Sequence, residues 1–187
     1  MNRKQASNFL PAPMFAEALG RPLNLFVTLN FHHTACPPEE VGAAFERLRD
    51  NHFTRWFRYH TKRVRRLRGP VPPTYVWTIE NVAGHTHVHW LVHIPPILQQ
   101  AFREKLPQWL EAVAGPVTIE TSAVHVEPAE RPAGLSRYMM KGIDPRYAKF
   151  YRIDHEPQGV VHGKRCGVSE CLGPAARARH RACAMAA

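Results

Sequence analysis

Between residues 75 and 94 the chain alternates bulky apolar and polar side chains in two runs, separated by a short break containing Gly84. Successive side chains of a strand point to opposite faces, so this period of two fixes which residues share a surface. In the second run Val88, Trp90, Val92 and Ile94 fall on one face, and His87, His89, Leu91 and His93 on the other. In the first run Tyr75, Trp77 and Ile79 make a bulky face, with Thr74, Val76, Thr78 and Glu80 behind it. A four-residue turn over residues 82–85 sets Glu80 opposite His87 and Thr78 opposite His89, with Cβ atoms about 5 Å apart. One face of the hairpin can then pack on helices. The other brings two imidazoles and a carboxylate to one spot.

The remaining patterning places this hairpin in a larger frame. Residues 23–31 are apolar and β-prone, which predicts a buried strand. Pro37-Pro38-Glu39-Glu40 reads as a helix start. Helical spacing of Val41, Phe45, Leu48, Phe53, Trp56, Phe57, Val64 and Leu67 carries that helix to Gly69-Pro70, with a break near Asn51-His52. After the strands expected at 74–80 and 87–94, Pro95-Pro96 opens a helix through Phe102, Leu106 and Trp109 that ends at Gly115-Pro116. A fourth strand is expected at 117–126, and a short helix at 135–142. The order β-α-β-β-α-β predicts an α+β fold: a ferredoxin-like, RRM-like central antiparallel sheet with helices on one face. The expected division is an N-terminal extension (1–22), one domain (23–158) and a basic tail (159–187) with at most one short helix.

Two imidazoles and a carboxylate with open positions make a divalent-metal site. Glu80, His85 and Glu120 all stand as third ligand, while His85 and His93 can equally belong to a solvated face. A second chemical group follows in Leu135-Ser136-Arg137-Tyr138-Met139-Met140-Lys141. Tyr138 and Lys141, at i and i+3, share one helix face. A free phenol has a pKa near 10 and is a poor nucleophile at neutral pH, and an adjacent ammonium favours its phenolate. Tyr147 and Tyr151 read as structural or base-stacking residues.

Charge narrows the partner. Lys and Arg number 25 against 15 acidic residues, a formal +10, which points to a polyanion, nucleic acid before anionic lipid. Arg55, Arg58, Lys62, Arg63, Arg65, Arg66 and Arg68 run without an acid and with Trp56, Phe57 and Tyr59 interleaved, a pattern suited to phosphates and stacked bases. Arg137, beside Tyr138, is grouped with them. No apolar run approaches the ~18 residues of a membrane span, and the first residues lack a signal peptide's apolar core, so a cytoplasmic protein is expected. Four cysteines in 187 residues do not make a disulfide framework, and the spacing of Cys166, Cys171, His180 and Cys183 matches no usual zinc pattern. No Gly-rich Gly-Lys-Ser/Thr loop of a helicase motor occurs.

Together these residues resemble the His-hydrophobic-His (HUH) endonucleases, in particular the single-tyrosine rolling-circle replication initiators. Phe26-Val27-Thr28-Leu29-Asn30 is similar to their first strand motif, His87-Val88-His89 with Leu91 and Pro95 to their metal motif, and Tyr138-Met139-Met140-Lys141 to their Tyr-x-x-Lys motif. The matched span covers residues 23–142 in the family's order. The resemblance implies the HUH endonuclease fold, with Mg²⁺ or Mn²⁺ on His87, His89 and Glu80. It also implies attack by Tyr138 on a scissile phosphate, giving a 5′-phosphotyrosine link and a free 3′-hydroxyl, with Lys141 orienting phosphate or phenolate. The implied partner is single-stranded DNA at a replication origin, with a hairpin or adjoining duplex, opened by a separate host helicase.

Four other readings compete. His85-Thr86-His87-Val88-His89 approximates the histidine-triad nucleotide hydrolases, although Thr86 interrupts their spacing. Relaxases and single-strand transposases are the nearer alternatives. A DNA-binding module with purely structural histidines is the non-enzymatic one.

Overall fold

The computed structural model describes residues 1–64, 71–118 and 123–185. Five strands, β1 (Leu25–Asn30), β2 (Tyr75–Val82), β3 (His85–Val92), β4 (Val124–Pro128) and β5 (Cys166–Val168), form one open antiparallel sheet. Its order is β4-β1-β3-β2-β5. The helices are α1 (Arg3–Phe9), α2 (Ala12–Ala18), α3 (Val41–Arg47), α4 (Thr54–Arg63), α5 (Gln99–Ala114), α6 (Pro132–Tyr138), α7 (Pro145–Tyr151) and α8 (Pro174–Met185). The α+β class and the antiparallel sheet agree with the expectation. Among the described residues, no helix is long and apolar enough to cross a membrane.

The period-two assignment holds side chain by side chain. Leu25, Val27, Leu29, Trp77, Ile79, Val88, Trp90 and Val92 face one way and form the larger core with Phe45, Phe57, Phe102 and Leu106 of α3, α4 and α5. Trp90 is fully buried, with Phe53 and Phe45 edge-on to its ring at 4.7 and 5.6 Å. Each such burial contributes about 1.5–3 kcal/mol, which explains why the sheet's register is tied to this face.

The helices do not lie on one face only, which corrects the expectation. On the reverse face Phe26, Val76, Leu91 and Cys166 pack against Ala6 and Phe9 of α1, Ala12 and Ala16 of α2, and Met139, Met140 and Ile143. The cause is visible along the strands: one end of that face is apolar and needs a cover, while the other end carries the polar cluster. The stretch read as an extension supplies the cover. Its link to the sheet is polar: His93 Nδ1 donates to the Pro22 carbonyl at 2.7 Å, and the Asn24 side chain pairs with both backbone groups of Ile94.

Other boundaries moved. The break expected near Asn51-His52 is a π-helical stretch, Leu48–Phe53, that joins α3 to α4 without interruption. The fourth strand starts later than expected, at Val124. The basic tail adds β5 at the sheet edge and the 12-residue helix α8. Helix α6 begins at Pro132, whose missing N–H costs nothing in a first turn, and it ends at Tyr138 rather than running to 142. A tighter turn follows, in which the Lys141 amide donates to the Tyr138 carbonyl.

Candidate active site

The site begins with the turn between β2 and β3. Ala83 and Gly84 both have positive φ, 51° and 83°, the requirement of a two-residue type I′ hairpin whose twist matches its strands. This pairs Val82 with His85, and so Glu80 with His87 and Thr78 with His89. The expected register is the observed one.

Glu80, His87 and His89 offer ligand atoms that all lie within 4.8 Å of one another. Glu80 is almost fully buried, with Oε2 3.2 Å from His87 Nε2 and 3.7 Å from His89 Nε2. His87 Nδ1 faces the His85 carbonyl at 3.0 Å, and its Nε2 is turned to the cluster, 3.2 Å from Glu80 Oε2. His89 is clamped on three sides. Phe26 stacks on its ring at 5.2 Å, the Tyr138 ring meets it edge-on at 5.6 Å, and its Nδ1 lies 3.1 Å from Thr28 Oγ1. A ring that donates from Nδ1 to Thr28 keeps its Nε2 lone pair for a metal.

Electrostatics point the same way. Burial lowers the His89 pKa to about 4, with Glu80 opposing and His87 and Lys141 assisting, so the imidazole is neutral at neutral pH. Burial alone would raise the Glu80 carboxyl. The His87 hydrogen bond and the nearby His89 and Lys141 outweigh it and hold the carboxyl below its ordinary value. Among the described residues, two buried polar atoms of the cluster, Glu80 Oε1 and His89 Nε2, have no hydrogen-bond partner. Uncompensated buried groups of this kind cost about 1–3 kcal/mol each. Glu80, His87 and His89 could hold a metal ion, and both unpartnered atoms are of the kinds a divalent cation takes as ligands.

Comparison finds no match to a protein-family model, to a curated protein or to a solved structure.

Tyr138 and Lys141 reach this cluster from the end of α6. Lys141 Nζ donates to Tyr138 Oη at 3.0 Å and lies 3.2 Å from Glu80 Oε2, with Glu156 Oε2 at 4.0 Å. Burial would lower the Lys141 pKa, but the bonds to Tyr138 and Glu80 raise it overall, so the ammonium persists. Tyr138 itself is half exposed.

Other residues singled out in the sequence are placed elsewhere. Helix α4, with Arg55, Arg58, Lys62 and Arg63, packs on the opposite face of the sheet through Phe57, so its cations do not line the cluster. The Arg63 guanidinium sits 3.5 Å over the Tyr59 ring. Arg137 donates to the Tyr151 carbonyl at 2.9 Å and braces α6 to α7. Arg65, Arg66, Arg68 and Glu120 lie outside the described residues. His85 stacks on His32 at 4.8 Å, and the Tyr151 hydroxyl bonds to Ser7. Thr28 and Phe26, which hold His89, were not singled out as site residues; only the pairing of β1 with β3 identifies them.

Proposed function

We propose that the protein is a divalent-metal-dependent, single-strand-specific DNA endonuclease and strand transferase of the HUH type that initiates rolling-circle replication. The observation that carries this reading is the chain of contacts from Tyr138 Oη through Lys141 Nζ to Glu80 Oε2, beside the His87–His89 pair. Residues about fifty positions apart in sequence thus supply a nucleophile and a cation cage to one site. The strand order 4-1-3-2 of β1–β4, a ferredoxin-like arrangement, and the net charge of +10 support the same reading.

His87, His89 and Glu80 would hold Mg²⁺ or Mn²⁺. Such an ion polarises the phosphate and neutralises charge as it develops. Lys141 stays protonated, so it is not the base that deprotonates Tyr138; it stabilises the phenolate as the proton leaves to water beside the half-exposed tyrosine. The phenolate oxygen then bonds to phosphorus as the bond to the 3′-oxygen breaks, and that oxygen takes a proton from water. The ester bond energy is kept in the tyrosyl link, so a later 3′-hydroxyl can reverse the step and join ends. The cell would need a separate helicase to extend the nick.

The test uses labelled single-stranded oligonucleotides from a hairpin-bearing library with Mn²⁺, read as a denaturation-resistant shifted band. The wild-type chain should form the adduct, EDTA should abolish it, and Tyr138→Phe should bind DNA without forming it. An adduct that survives in Tyr138→Phe moves the nucleophile elsewhere, and full activity in chelator removes the metal.

A further inference from the structure

On the opposite face of the sheet from the histidines, a cavity of about 570 Å³ opens between α4, the β2–β5 edge and α8. Trp77 lines it, and its indole packs close against Gly167 of β5. A Cβ on Gly167, the residue paired with Trp77, would come within 2.8 Å of the indole nitrogen, so only glycine accommodates the ring there. Arg49 lines the cavity but is neutralised in place by Asp50 at 2.8 Å.

Three further cations reach the same space from three separate elements: Arg58 from α4, Lys164 from the segment before β5, and Arg179 from α8. Among the described residues none of the three has an ion-pair partner, and the lining holds one uncommitted carboxylate, Glu170. All three are exposed, and like charges converging on one hollow favour an anion there. The positive line also continues outside the cavity, because Arg55 and Lys62 stand at i−3 and i+4 from Arg58 on the same side of α4. A free phosphate or a single nucleotide would use only the cavity. An anion matched to the whole line is a chain of phosphates.

We propose that this cavity and the adjoining side of α4 form a second nucleic-acid contact, a phosphate-binding groove that holds a strand on the face away from the cleavage site. The choice of ligand rests on the proposed function; the cleavage chemistry does not enter. A strand gripped here and cut on the other face must wrap around the β2–β5 edge, which would give the protein a grip on flanking DNA while the cleaved end turns over.

The experiment measures anisotropy of labelled oligothymidylate against salt, in EDTA, using Tyr138→Phe as the parent so that no adduct forms. The triple variant Arg58→Ala/Lys164→Ala/Arg179→Ala should lower the log–log salt slope by about 2, since each lost single-strand phosphate contact removes about 0.7. A charge-matched control, Arg47→Ala/Lys105→Ala/Lys149→Ala, should keep the parent slope. Lys164→Ala alone, an exposed loop change, covers misfolding of the triple variant and should lower the slope by about 0.7. A triple variant that binds like the parent, or a control that loses as much, overturns the groove. If adenosine triphosphate binding is lost in the triple variant while the oligothymidylate slope is unchanged, the cavity takes a free nucleotide and the strand proposal fails. Because this assay needs neither metal nor Tyr138, its failure leaves the cleavage reading standing, and loss of cleavage leaves the groove standing.

Discussion

Thr28 and His89 stand directly opposite each other on β1 and β3, and the Thr28 hydroxyl lies 3.1 Å from His89 Nδ1. Partners of this kind fix both the orientation and the protonated nitrogen of a metal-binding imidazole, and their loss typically weakens metal affinity 10–100-fold. Thr28→Val keeps the shape and removes the hydroxyl. It should weaken Mn²⁺ binding by roughly tenfold or more, measured by isothermal titration, with little change in the secondary structure. Unchanged affinity would mean that Phe26 stacking alone holds the ring.

Lys141 balances a carboxylate that water cannot reach. Lys141→Met should destabilise the metal-free protein by about 2 kcal/mol, the scale of a hydrogen bond to a charged group. Saturating Mn²⁺ should recover part of that loss, because a cation bound to Glu80 replaces the missing charge and stabilises only the folded chain. Urea denaturation with and without Mn²⁺ separates the two effects; a loss that Mn²⁺ leaves untouched would place Lys141 outside the charge balance of the site.

The histidines set an acid limit on stability. Burial, with His87 and Lys141 adding and Glu80 opposing, takes His89 from 6.5 to about 4, so the unfolded chain binds a proton over a range where the folded one does not. The resulting stability is complete above about pH 6.5 and is lost as pH falls toward 4, on the order of 3 kcal/mol. His93 and His32, each lowered first by burial, act in the same direction. Denaturation midpoints in EDTA should therefore fall between pH 7 and 5, and His89→Gln should flatten that slope without abolishing it. A pH-independent midpoint would show His89 already open to water.

Ala83 adopts φ 51° in the turn that sets the Glu80–His87 register. A left-handed conformation costs a non-glycine residue about 1–2 kcal/mol, and asparagine bears it best. Ala83→Asn should raise stability by about 1 kcal/mol in thermal melts, with the Glu80–His87–His89 cluster unaltered. A loss of stability would argue that the turn is of another type.

What the sequence determined is everything that follows from period-two alternation and short spacing. Parity alone assigned Val88 and Trp90 to the core and His87 and His89 to the opposite face. A two-residue connection at Ala83-Gly84 allows one register only, so Glu80 had to face His87. The spacing of Tyr138 and Lys141 set their mutual contact, although the second residue sits in a turn beyond the helix. Docking between distant segments was decided by the tertiary structure. That Lys141 reaches Glu80, that Thr28 opposes His89, and that residues 1–22 cover the apolar half of the histidine face all depend on how segments far apart in sequence pack. The same holds for α4, whose basic side is plain in the sequence but whose Phe57 commits it to the face opposite the histidines. Local patterning specifies which side of an element is apolar; which partner buries that side is settled only when all the apolar faces compete for the same core.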